Sequence, residues 1–281
     1  MKRILSLFIA IAVFVVLNFT ATAEALTVED KIDYLISQGF PEDFLENEEA
    51  SAIDDIYNTF YGKDFQFLGT ETVDMSESYS LFGASPLDTI PESAMRLKIS
   101  SVQTIEYENG KGVIQEVVLY VQYEWFGGKP TICKKDGISV NWESGLFAFK
   151  QDSFRSIDYK KFLYYNYGYK TSDWIESDSQ VDPTELNQGG LGYIAYLNRG
   201  NPPENPKELV GAKGWARMSL LPRYKIYNKD SKTTVINAEY VHNKSPFTAV
   251  GFSWNGAGVT VNLSSRAKDS VAKAVNIKYS T

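Results

Sequence analysis

Apolar and polar positions along this chain change period twice. Residues 4–17 are apolar without a break except at Ser6. From Thr27 to Gly62 the apolar positions recur every three or four residues: Val28, Ile32, Leu35 and Ile36 share one helical face, and Ile53, Ile56, Tyr57 and Phe60 share another. Beyond Phe65 the period becomes two. Met95, Leu97 and Ile99 alternate with Arg96 and Lys98. Val113, Val117, Leu119, Val121, Tyr123 and Trp125 then fall on one side of an extended strand, with Glu116, Gln122 and Glu124 on the other.

Punctuation residues agree with these periods. Thr27, with Asp30 three residues on, is placed to cap a first helix, and Gly39 suits the left-handed position after its end. Pro41 opens a short second helix. A third runs from about Glu48 to Tyr61 and is stopped by Gly62. Asn109-Gly110-Lys111-Gly112 reads as the turn of a long hairpin, and the phase break at Ser100-Ser101 predicts a bulge. Further strands are expected at 65–74, 137–143, 145–150, 191–197, 214–221, 233–242, 248–254, 258–263 and 273–279. Residues 171–189 and 200–208 are polar, carry proline and read as loops. The expected fold is mainly β, an antiparallel β-sandwich over 63–281 preceded by a short α-helical segment over 26–62. A break into two β subdomains would fall near 171–189 or 200–208.

The leading apolar run has its own meaning. Lys2 and Arg3 precede it, and Ala21-Thr22-Ala23 or Ala23-Glu24-Ala25 follows as a small-residue cleavage site. Residues 1–25 therefore read as a bacterial secretory signal peptide. The run falls short of the roughly 20 residues that cross a bilayer, so no transmembrane anchor is expected and the protein is placed outside the cell. Cys133 is the one cysteine, so no internal disulfide supports the fold and the core alone must hold it.

Charge is unevenly spread. Removing Lys2 and Arg3 takes the formal charge from −7 to −9. Residues 27–62 carry ten acids against Lys31, whereas residues 205–281 carry twelve lysines and arginines against Glu208, Asp230, Glu239 and Asp269. The acidic segment can dock on the basic one, or the basic one can face an anionic surface such as lipid headgroups or cell-wall polymer. Nucleic acid is disfavoured, because the basic residues are dispersed singly in an acidic protein.

Candidate chemistry is sparse. His242 is the single histidine, no G-x-S-x-G elbow accompanies it, and it reads as a surface or turn residue. Cys133 precedes Lys134 and Lys135, which would favour its thiolate. Asp173, Glu176, Asp178, Asp182 and Glu185 form an acidic stretch without the EF-hand pattern. Glu124 and Glu143 each adjoin a tryptophan and are the acids a hydrolase would use. No pattern asks for a metal or a cofactor.

The most suggestive patch is aromatic. Tyr159, Tyr164, Tyr165, Tyr167, Tyr169 and Trp174 lie within sixteen residues, with Lys160, Lys161 and Lys170 among them. Aromatic faces stack on sugar rings, and flanking lysines add cation–π contacts. These six aromatics are the candidate ligand-binding residues. The leading expectation is a secreted, non-catalytic binding module for a cell-surface glycan, an anionic surface or a protein partner. A secreted carboxylate-dependent hydrolase and a membrane-active, toxin-like β protein using the 248–263 hairpin are the alternatives.

Overall fold

The computed structural model describes residues 26–46, 48–74, 95–125, 135–165, 168–197, 206–243, 250–255, 258–262 and 268–281. The expected leader, Cys133 and Tyr167 lie outside them. Contacts divide the chain into two compact units, Met1–Tyr61 and Gly62–Thr281.

The first unit contains three helices, α1 (Val28–Ser37), α2 (Glu42–Leu45) and α3 (Ala50–Phe60). Thr27 caps α1 reciprocally: its hydroxyl accepts from the Asp30 N–H at 3.1 Å, and Asp30 accepts from the Thr27 N–H at 2.9 Å. The Thr27 hydroxyl, 2.8 Å from Asp30 Oδ2, and then the Thr27 N–H hold the Asp30 carboxyl below its ordinary range. Gly39 adopts φ +103°, as the end of α1 requires. Pro41 stands one place earlier than expected, as the N-cap of α2. Phe40 packs against Phe44 and Phe60 with ring centroids 5.8 and 5.3 Å apart, and Lys31 pairs with Asp54 at 2.7 Å to link α1 and α3.

The second unit is antiparallel β throughout its pairing. One layer runs β1 (Phe65–Asp74), β2 (Met95–Glu108), β3 (Lys111–Trp125), β11 (Pro206–Pro222) and β6 (Arg155–Tyr165). The short strands β7 (Tyr169–Thr171) and β8 (Ile175–Gln180) pair with β6, and β5 (Phe147–Phe149) with β11. The other layer runs β15 (Lys268–Ser280), β12 (Tyr227–Asn243), β4 (Lys135–Asn141), β10 (Gly190–Tyr196) and β9 (Glu185–Leu186). The layers join at one corner, where Tyr227 of β12 pairs with Val113 of β3. Between them lies one core. It includes Leu97, Val121, Tyr123 and Trp125 from the first layer and Val140, Tyr193, Ile236 and Tyr240 from the second. The expected antiparallel β-sandwich is the architecture of this unit.

Several expectations need correction. β2 carries no extra residue at Ser100-Ser101: the register shift opposite Ser101 and Val102 puts the extra residue on β1, between Phe67 and Gly69, and the β2–β3 register shifts between Thr104 and Ile105. Ile99, Ser101 and Gln103 therefore keep facing the core opposite Val121, Leu119 and Val117, and the apparent phase break is buried polar residues on an unbroken strand. The shift also turns Ile114, rather than Val113, into the core. The stretch 171–189 is not a plain loop, since it holds β8 and β9. Residues 206–208 likewise belong to β11. Polar, edge-lying strands lack the alternation that marks half-buried ones, which is why they read as loops.

β13 (Gly251–Asn255) and β14 (Gly258–Asn262) form a separate two-stranded sheet. Side chains tie it to the second layer. The Asn141 amide donates to the Val259 carbonyl at 3.1 Å and accepts from the Val259 N–H at 2.6 Å, standing in for a strand residue. Asn187 donates to the Gly258 carbonyl at 3.0 Å. Under the hairpin the floor is glycine: a Cβ on Gly192 would enter the Phe252 ring, and one on Gly137 would meet Val261.

Candidate binding face

β6 carries the aromatic-rich stretch along the edge half of the first layer. Alternation sends Asp158 into the core and Tyr159 and Lys161 to the outer face. On that face Glu124, Lys213, Tyr159 and Glu176 stand abreast on β3, β11, β6 and β8. One step along, Lys161 pairs with Gly211. The Trp174 ring lies on Gly211, where an added Cβ would come within 2.9 Å of its six-membered ring. Lys213 Nζ sits 4.7 Å from the Trp174 centroid and Lys161 Nζ 5.6 Å, within cation–π reach. Lys213 is also 5.9 Å from the ring of Tyr159.

The sequence candidates thus take different places. Trp174 is half-buried and held between two lysines. Tyr159 is 5% exposed, a floor beneath Lys213. Tyr164 is half-buried opposite Lys170 at the β6–β7 pairing. Tyr165 pairs with Tyr169 through the backbone, and their side chains, like Tyr167, are outside the described residues. Lys213, from β11, was not singled out by the sequence, because nothing local links it to Trp174.

Two buried acids were also missed. Asp136, fully buried on β4, accepts from the Tyr240 hydroxyl and from the Asn243 N–H at 2.9 Å, and lies 2.9 Å from His242 Nδ1. His242 is therefore not a surface or turn residue. It is 7% exposed, and its ring centroid lies 4.8 Å from that of Trp125. Trp125 Nε1 donates to the Tyr240 hydroxyl at 2.9 Å, completing the network. A carboxylate on Nδ1 is how a general base is oriented, but among the described residues no hydroxyl bonds to this ring.

The second acid, Asp158, accepts from the Tyr123 hydroxyl and from the Tyr196 N–H, each at 2.8 Å. Burial pushes its carboxyl up to about 7, against the two hydrogen bonds and Lys160, which lower it. Gly214 leaves the room: a Cβ there would sit 2.6 Å from Asp158 Oδ1. Asp158 thereby links β6 in one layer to β10 in the other. Gln180 of β8 adds a second link, donating to the Ile194 carbonyl at 2.6 Å.

Among the described residues no group of three or more histidine, cysteine, aspartate or glutamate side chains is placed to hold a metal ion. Glu143 accepts from the Thr234 hydroxyl at 2.9 Å, while Glu124 stands beside Lys213, so the two acids adjoining tryptophans share no partner. No helix among the described residues is long and apolar enough to cross a membrane.

No family model and no curated protein matches the chain. Among solved structures, the collagen-binding domain from a Staphylococcus aureus adhesin matches at 8% identity and a TM-score of 0.27, over 56% of this chain and 87% of that one. ACE19, the collagen binding subdomain of the Enterococcus faecalis surface protein ACE, matches at 9% identity and a TM-score of 0.21, over 56% and 86%. A likeness of this size extends to neither ligand nor partner.

Proposed function

We propose that this chain is a secreted, non-catalytic binding module that meets its partner on the outer face of β6, β8 and β11. One observation carries the reading: Trp174 is seated on Gly211 with Lys213 and Lys161 at its ring. A half-buried indole fixed from below is ready to stack, and binding then costs little side-chain ordering. The two ammonium groups favour a partner that carries a carboxylate or phosphate beside a flat apolar face. A cell-surface glycan, an anionic surface and a protein partner each offer that pair of features.

The test is sedimentation with purified cell walls and a glycan array, using wild type and Trp174→Ala. Binding is expected to fall at least tenfold in the variant, and in Lys213→Gln, with unfolding curves little changed. A Trp174→Ala protein that binds as tightly as wild type overturns the reading.

A further inference from the structure

A second aromatic site lies on the hairpin, away from the Trp174 face and independent of it. The tryptophans of this chain are treated very differently. Trp125, Trp142 and Trp215 are at most 4% exposed. The N–H groups of Trp125 and Trp142 are used internally, on the Tyr240 hydroxyl and the Gln188 carbonyl. Trp254 of β13 is 64% exposed, yet it does not swing freely: its Nε1 donates to Glu185 Oε1 at 2.7 Å.

Both ends of that bond stand on fixed backbone. Glu185 pairs with Gly192 of β10, and the neighbouring Leu186 packs against the core. Trp254 pairs with Val259, whose N–H and carbonyl are both held by Asn141. Asn187, next along from Leu186, has its amide committed at both ends, to the Gly258 carbonyl and the Gly189 N–H. The indole is thus an open ring face in one orientation, with a carboxylate at its edge whose second oxygen, Oε2, takes no part in the bond to Nε1.

We infer that Trp254 and Glu185 form a binding site for an uncharged sugar ring. The polarised C–H face of a pyranose suits the negative face of an indole. Its hydroxyls suit a carboxylate oxygen, a charge-assisted acceptor. Charge decides against the other occupants of an exposed tryptophan. The charge placed at this ring is the Glu185 carboxylate, whose Oε1 lies 2.7 Å from Trp254 Nε1. That carboxylate repels anionic sugars and anionic lipid headgroups alike.

The experiment follows the Trp254 indole N–H resonance of the chain during titration with soluble hexamers of β-1,4-glucose and of N-acetylglucosamine. A saturable shift is expected with at least one of them. Binding measured by calorimetry should be lost in Trp254→Ala, retained in Trp254→Phe, and weakened at least fivefold both in Glu185→Gln, whose single carbonyl oxygen stays on the indole N–H and leaves no acceptor for a sugar hydroxyl, and in Glu185→Ala. Trp174→Ala should leave it unchanged, which separates this site from the one proposed above. No saturable shift with either sugar overturns the inference. So does sugar binding by Trp254→Ala equal to wild type, or co-sedimentation with phosphatidylcholine vesicles in place of sugar binding.

Discussion

Asp158 shows how much one residue can control. Its carboxyl is ordinarily ionised above pH 4, yet burial raises it to about 7 in the folded chain. The folded state thus holds a proton that the unfolded state has released. The stabilisation is fully present below about pH 4, declines as pH rises and is gone above about pH 7. A three-unit difference corresponds to on the order of 4 kcal/mol. Chemical denaturation followed from pH 4 to pH 8 should show stability falling with that sign, superposed on the opposite slope from hydrogen-bonded carboxylates such as Asp30. Asp158→Asn should remove the fall across pH 5–7. An unchanged profile in that variant would refute the assignment.

Neither buried acid was legible in the sequence. Asp136 and Asp158 sit on strands where alternation alone would have invited an apolar residue. Their partners, His242 and Tyr240 for one, Tyr123 and Tyr196 for the other, are 35 to 106 residues away in the chain. Trp174, by contrast, was legible as one of a local aromatic cluster, because composition is visible without knowing the pairing. What could not be read was which aromatics the sheet turns outward, and that Lys213 would arrive from β11.

At the scale of elements, the hairpin of β13 and β14 was readable from Asn255-Gly256-Ala257-Gly258 and from its alternation. Its attachment was not, since that depends on Asn141 and on glycines in β4 and β10. The attachment is testable. Gly192→Ala places a methyl group in the Phe252 ring and should lift the hairpin from its floor. Asn141→Ala removes both amide bonds to Val259, a cost of about 1–3 kcal/mol borne locally. Both variants should be cleaved faster within 250–262 by a nonspecific protease, while the β12–β15 ladder keeps its hydrogen-exchange protection. Cleavage at the wild-type rate would show that other contacts hold the hairpin.

At the scale of the molecule, the β-sandwich of residues 62–281 has a single core. Tyr123 and Tyr240 meet across the layers at 5.3 Å, and Tyr240 binds both Trp125 and Asp136. Such sharing makes the layers interdependent, so this unit should unfold in one step. Near-ultraviolet circular dichroism, which reports the buried tryptophans, should lose its signal together with the far-ultraviolet β signal. Tyr240→Phe leaves the Trp125 N–H and one Asp136 oxygen without that partner and should lower stability by about 2–3 kcal/mol, moving both signals together. Two separated transitions would contradict the single core. This architecture, with its strand-rich composition and turn spacing, was the most readable property of the chain. Periodicity reports which residues are sheltered, and a sandwich shelters one side of nearly every strand.

The backbone groups of β10 that point away from β4 end beyond β9 at Ile194 and Tyr196. Gln180 takes the carbonyl of the former and Asp158 the N–H of the latter. A passing chain that sought to zip onto this margin would find two of its docking points already occupied. Concentrated solutions of the protein should therefore resist fibril growth from this seam for as long as both side chains stay in place.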